Sequence, residues 1–358
     1  MALSSTQRAL IAVVLIVCLG GATVAVYLHH LHQPLPNASS GPPPDVLSQL
    51  PADAPVIAYI DVAALRKLPN SPLADLLGLA VPQPEPAQPR DRRVPQTHNE
   101  NAREYSQFVD DTGFDYSRDL DRAAIAFWPN DLSPSANRAG ENPALAIADG
   151  HFDQRKITAY AIRAGGKTET AAEHTRYVIP GYPTVAFEFL SQTRIALASG
   201  RNAAALLNIR TNLSSDSALQ ARVKRVAGAP IFGVGRTDHL PASFYADFRN
   251  SPQLEGLIRS IQEISLAGEP HGDAVHLTLD AESDSMTHAI ELSTLLDGFR
   301  MIGPMALSDP KTRAQLEMTR EQAAVLEAFV NKAHVSHQER WVRITLDLTP
   351  ALFGQAEN

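Results

Sequence analysis

Cysteine is nearly absent from this chain: Cys18 is the only one in 358 residues. A lone thiol closes no disulfide within the chain, so stability has to come from a packed core. A cationic surplus is missing as well. With 31 Lys and Arg against 39 Asp and Glu, the net charge is -8 and the sequence pI about 5.8. That balance argues against a nucleic-acid binder, whose phosphate contacts need a basic surface. No Gly-x-Ser-x-Gly elbow and no His-Glu-x-x-His helix occurs, so two common signs of hydrolytic chemistry are gone. The composition itself, 44% hydrophobic and 20% charged, is that of a globular protein and not of a disordered one.

Charge is also missing, locally, from Ala9 to Leu28. Roughly 20 apolar residues at ~1.5 Å of helical rise match a hydrocarbon core of ~30 Å, so this run reads as a membrane-spanning segment. Two readings compete, a retained signal anchor and a signal peptide cut near Thr23-Val24-Ala25. The length of the run, which continues through Val26, Tyr27 and Leu28, favours the anchor. A lipoprotein signal at Cys18 is disfavoured because Val17 stands where a small residue is needed. Arg8 precedes the run and no Lys or Arg follows until Arg66, so residues 1–8 are expected in the cytoplasm and the rest outside it. The expected location is the cytoplasmic (inner) membrane, single-pass, with the C-terminal part in the periplasm or outside.

Residues 29–48 form a Pro-rich linker, with Pro34, Pro36, Pro42, Pro43 and Pro44, suited to an extended spacer. A second Pro-rich stretch, Val81 to Arg103, reads as a mobile loop inside a domain. The remainder reads as two passes of one pattern, residues 49–212 and 230–350, joined by a connecting helix at 213–229. In the first pass, strands are expected at Pro55–Ile60, Ala123–Phe127 and Ala144–Ala148, a helix at Asp153–Ala164, and two strands whose inward residues are Val185, Phe187, Phe189, Ile195 and Leu197. In the second, a strand at Pro230–Val234 is followed by a helix from Pro252 to Ile261 capped by Ser251. Strands at Glu263–Leu266 and Val275–Leu279 come next, then helices through Met286–Ile302 and after Thr319. The last strand alternates Val342, Ile344, Leu346 and Leu348 with Arg343, Thr345 and Asp347. The fold class is therefore α+β: an N-terminal transmembrane helix followed by two tandem ferredoxin-like (βαββαβ) repeats, or by one large α+β domain of antiparallel sheets with helices.

Several stretches carry a resemblance. Leu50-Pro-Ala-Asp-Ala-Pro55, Tyr59-Ile-Asp-Val-Ala-Ala-Leu-Arg66, Thr112-Gly-Phe-Asp115, Arg118-Asp-Leu-Asp121 and Gly150-His-Phe-Asp153, with Tyr177, Gly181 and Ser199-Gly200, are similar to a group of uncharacterised exported bacterial proteins of Acidobacteria type. The resemblance covers most of residues 50–210. It implies an anchored, extracytoplasmic bacterial protein with a domain of unknown function, and no activity.

Gly166-Lys167-Thr168 resembles the end of a phosphate loop, but Ala161 replaces its first Gly and a helix precedes it where a strand is needed. Gly233-Val234-Gly235 follows a strand, but Asp238 stands in place of the third Gly. Ser308-Asp309-Pro310-Lys311 matches Ser-x-x-Lys without a companion Lys-Thr-Gly, and capping of a helix that starts at Pro310 explains it more simply. Asp280-Ala-Glu282-Ser-Asp284 lacks the Gly and distal Glu of a calcium loop, Ser285 standing where the Gly belongs, and reads as a solvated strand-to-helix turn. His29, His30 and His32 sit in the tether without supporting partners for a metal, and Trp128 and Trp341 read as packing residues. No catalytic, cofactor-binding or metal residue is assigned and no cofactor is expected. The function expected is a non-catalytic binding or scaffolding module in the bacterial envelope, with the membrane and an envelope protein as partners; the alternative is an envelope hydrolase whose site is assembled from distant loops.

Overall fold

The computed structural model describes residues 44–66, 97–128, 143–171, 174–181, 183–208, 216–239, 252–271, 274–315 and 319–348. The expected anchor at 9–28, the tether histidines, Cys18, Ser251 and the Pro-rich residues 81–96 lie outside them. No helix among the described residues is long and apolar enough to cross a membrane.

In chain order the elements of the first half are η1 (Asp45–Gln49), β1 (Val56–Asp61), α1 (Val62–Arg66), α2 (Thr97–Thr112), α3 (Tyr116–Asp119), β2 (Leu120–Phe127), β3 (Ala144–Gly150), α4 (Gln154–Arg163), β4 (Lys167–Ala171), β5 (His174–Ile179), β6 (Val185–Phe189), β7 (Arg194–Ser199) and α5 (Ala203–Leu206). Then follow α6 (Ser217–Val226), β8 (Ile231–Arg236), η2 (Thr237–His239), α7 (Pro252–Ser260), β9 (Ile261–His271), β10 (Ala274–Ser283), α8 (Met286–Ser308), α9 (Pro310–Gln315), α10 (Arg320–Lys332), β11 (His334–Gln338) and β12 (Trp341–Leu348).

All twelve strands join one antiparallel sheet in the order β11-β12-β10-β9-β8-β1-β2-β3-β7-β6-β5-β4. The two halves meet at its middle, where β1 and β8 pair antiparallel from Val56↔Gly235 to Ile60↔Ile231. Moving outward, each half runs through three consecutive strands, β1-β2-β3 and β8-β9-β10, and a later strand, β7 or β12, returns to pair with the third. Of the two expected arrangements, the one large α+β domain of antiparallel sheet with helices is the one observed, and the tandem ferredoxin-like repeats are not. A split β-α-β unit holds a strand between its first two, whereas β1 pairs directly with β2 and β8 directly with β9.

The register divides the side chains between two faces, because neighbours across a sheet share a face and neighbours along a strand do not. One face carries Ile57 and Tyr59, Phe232 and Val234, Ala124 and Ala126, Leu145 and Ile147, Ala196 and Ala198, and Ala186, all buried. Over them lie Val46, Leu47 and Leu50 around η1, Ala203 of α5, and Leu219, Val223 and Val226 of α6. Tyr59 and Phe232 stack across the central pair at 4.9 Å between ring centres. The opposite face is covered by α4, whose Ile157 and Ala161 pack on Phe187 and Ile195, and by α7 and α8, whose Leu254, Ile258, Ala289 and Leu292 pack on Ala281 and Val342. Helices therefore cover both faces, whereas the ferredoxin-like reading places them on one. The expectation that Leu197 points inward also fails: it is 39% exposed, while its neighbours Ala196 and Ala198 are buried.

Local chemistry explains where several helices begin. Asp153 accepts from the Lys156 N–H at 3.1 Å, Asp216 from the N–H groups of Ala218 and Leu219 at 2.9 and 3.0 Å, and Ser285 from the His288 N–H at 3.2 Å, satisfying donors that the first helical turn leaves free. The expected loop over Val81–Arg103 is corrected at its end, because α2 starts at Thr97. That helix is held by aromatic contacts further along: Tyr105 lies edge-on to Tyr116 at 4.8 Å, and Phe108 to Tyr160 at 5.4 Å. A second correction concerns Asp280–Asp284. Strand β10 continues to Ser283, so Asp280 and Glu282 are strand residues and not part of a turn.

Candidate functional site

Three ion-pair clusters, each built on a buried carboxylate (Asp149, Glu188 or Glu263), occupy the face that η1, α5 and α6 cover, and each ties one of those elements to the sheet. Asp149 of β3 receives Arg122 Nε at 2.8 Å and Arg194 Nε at 2.5 Å, and Asp45 of η1 bridges the same two arginines at 3.2 and 2.7 Å. Burial pushes the Asp149 carboxyl up, but hydrogen bonds and positive charge from Arg194 and Arg122 outweigh it and hold it below the ordinary range. Arg176 of β5 pairs with Glu188 of β6 at 3.0 Å and donates to the Ala204 carbonyl of α5 and to Asn208 Oδ1. Glu263 of β9, fully buried, meets Arg222 and Arg225 of α6 at 2.5 and 2.6 Å. Burial is the largest influence on Glu263 and raises its carboxyl despite both arginines. Arg225 also lies 4.2 Å over the ring of Trp341, a cation–π contact. These carboxylates are committed to structural partners, so none is a free acid or base.

The residues singled out by motif fall into ordinary structural roles. Lys167 and Thr168 open the edge strand β4 after a helix, the reverse of a phosphate loop's strand-to-helix order. Gly233 and Gly235 pair within β8. Ser308 is the last residue of α8 and Pro310 the first of α9; Ser308 and Lys311 are both exposed. Asp280 is held by Arg343 through two hydrogen bonds of 2.7 Å, Glu282 by Arg340 at 2.7 Å, and Asp284 by His288 at 2.5 Å, so the would-be calcium carboxylates already have side-chain partners. Trp128 packs against the main core. The one grouping of metal-ligating side chains found among the described residues, His271, His276 and Asp347, was not anticipated, because its members lie on three strands.

What stands out on the surface is α8. Its buried residues Ala289, Leu292, Ser293, Phe299, Gly303 and Leu307 recur at helical spacing and face the sheet and α10. Its outer side carries Met301, 76% exposed, Ile302, 62%, and Met305, 77%, with Pro304 between them. A helix with one face buried normally turns polar residues outward; here the outer face of its last two turns is apolar. Their neighbours on the exposed side are Glu291, Thr294, Asp297 and Arg300, of which Asp297 and Arg300 pair at 3.0 Å.

No family model matches the chain, and no curated protein matches it. Among solved structures, it is similar to TP0453 in crystal form III, with 12% identity, a TM-score of 0.42, and coverage of 88% of this chain and 99% of that one. Crystal form IV of TP0453 gives 10% identity, a TM-score of 0.43, and coverage of 87% and 95%. A likeness at this level carries no functional conclusion.

Proposed function

We propose that this chain is a non-catalytic, protein-binding module of the bacterial envelope, held at the inner membrane through Ala9–Leu28, with the outer side of α8 as its contact face. Exposure of Met301, Ile302 and Met305 together is the observation that carries the reading. Three large apolar side chains within two turns gain little by facing water, and methionine adapts to the shape of a partner's pocket. The partner is a protein with an apolar pocket. The net charge of -8 disfavours an anionic lipid surface. The resemblance of residues 50–210 to exported bacterial proteins supports the location. The matching strand order of the two halves, with Pro55 and Pro230 each opening a half after an alanine, supports their origin as two copies of one unit.

Site-specific photocrosslinking in intact cells tests this. A crosslinking residue at position 301 or 305 of the full-length protein is expected to give one discrete protein adduct. The same residue at Ile162, an apolar position 54% exposed on α4, is expected to give none. Adducts to lipid, adducts only to a second copy, or identical adducts from all three positions would overturn the reading.

A further inference from the structure

We infer that His271, His276 and Asp347 form a binding site for a divalent transition-metal ion of the zinc type. The imidazole nitrogens and a carboxylate oxygen of these three all lie within 4.8 Å of one another. The sheet brings them there. His276 of β10 is directly opposite Asp347 of β12, with Nδ1 and Oδ1 2.7 Å apart. On the other side of β10, the β9–β10 hairpin pairs His271 with Ala274, so that residues 274 and 276 share a face with it. The two imidazoles meet edge to face with ring centres 6.2 Å apart.

The donor set selects the ion. Two imidazoles and one carboxylate suit zinc, copper or nickel and are poor ligands for calcium or magnesium, which require oxygen. Zinc holds such ligands at ~2.0–2.2 Å in a tetrahedron, where their donor atoms stand ~3.3–3.5 Å apart. Small rotations of side chains already within 4.8 Å reach that spacing, and no strand has to move. Three protein ligands leave a fourth position to water, the pattern of an exchangeable or reactive site and not of a closed structural one. The exposure of His271 and Asp347 gives an ion in solution direct access. Glu269 pairs with His276 from the β9 side, which places a further carboxylate at the margin of the site.

Each ligand sits on a β-strand whose position the ladder holds, and strand-borne sites are better organised than loop-borne ones. This assignment is independent of the α8 contact surface, which lies on a different element. It also accounts for a local peculiarity: on the open face of the second half, Asp280 and Glu282 each have an arginine, whereas Asp347 has a histidine.

The test is zinc titration of the purified full-length protein in detergent, in a background with His29→Ser, His30→Ser and His32→Ser, so that the tether cannot bind the ion. Competition with a chromogenic chelator measures stoichiometry and affinity, and zinc-dependent thermal unfolding provides a second readout, since an ion that binds only the folded state raises the midpoint. One equivalent is expected. His276→Ala and Asp347→Asn should each weaken binding by more than the roughly 10–100-fold that loss of an outer-sphere partner costs, and should abolish the zinc-dependent rise in midpoint while leaving the midpoint without zinc nearly unchanged. His271→Asn, at an exposed strand end, repeats the test with the least risk to folding. No binding in the tether-free background, or binding by each of the three variants equal to that of their parent, would overturn the assignment.

Discussion

Strands β7 and β12 occupy the same place in their halves, each returning to pair with the third strand, yet they offer different residues to the same face of the sheet. β7 presents Ala196 and Ala198, both buried; β12 presents Arg343, Thr345 and Asp347, of which Arg343 and Asp347 are exposed. Alanine leaves room, and over the first half η1 and α5 come down onto the sheet, while α6 covers β8 and β9 beside it; all three are tied there by ion pairs to buried carboxylates. Longer polar side chains pair with each other across the strands, as Arg343 does with Asp280, and that part of the face stays wet. An ion pair therefore has opposite meanings under the covering elements and along β12. Under η1, α5 and α6, Glu263 of β9 included, it compensates buried charge; along β12 its arginine lies at a hydrated surface, where such pairs add little.

The sharpest way to break this comparison is to remove one arginine from each half. Arg176→Ala strands Glu188 in the interior and is expected to cost about 3–5 kcal/mol in denaturant unfolding. Arg343→Ala, which takes the partner from Asp280, is expected to cost about 0–1 kcal/mol. Equal losses would mean that covering elements do not set the value of these pairs. On the opposite face, Ile344→Asp places a charge at a half-buried position beside the core that contains Val342, and a loss of about 1–3 kcal/mol by the same measurement is expected.

The smallest effect concerns acid. Asp149 and Asp45 both titrate below the ordinary carboxylate range. For Asp149, burial is offset by Arg194 and Arg122; for Asp45, the hydrogen bond from Arg194 is the largest cause. A depressed carboxyl contributes stability that is present above its unfolded value, about 4, and is lost as pH falls through its lower folded value. Glu263, raised by burial, works in the other direction. Stability measured from pH 6 down to pH 2 should therefore fall, and Asp149→Asn should flatten that fall while lowering the stability at neutral pH.

Much of the framework was legible in the chain. The strands at β1, β2, β3, β6, β7, β8 and β12 and the helices α4, α6, α7, α8 and α10 announce themselves by periodicity, and the Ala-Pro openings of the two halves do mark equivalent central strands. β4 escaped because Lys167–Ala171 is a polar edge strand, whose single neighbour places little demand on its side chains. β11 escaped for the same reason at the other edge. The candidate surface on α8 was hidden in part: Ile302 reads as the end of an apolar helix, Met305 lies beyond the expected helix, and a periodicity count does not say which apolar residues a neighbour will cover.

The sequence by itself determined the segmentation, the α+β class and the absence of motif-borne chemistry, because helix and strand periods, caps and turn residues act over a few positions. Only the tertiary structure decided that the two halves share one sheet, that small alanines and not the larger Leu197 line the covered face, and that His271, His276 and Asp347 meet. Strand order and register fix those outcomes, and both depend on pairings between residues far apart in the chain, such as Asp347 with His276.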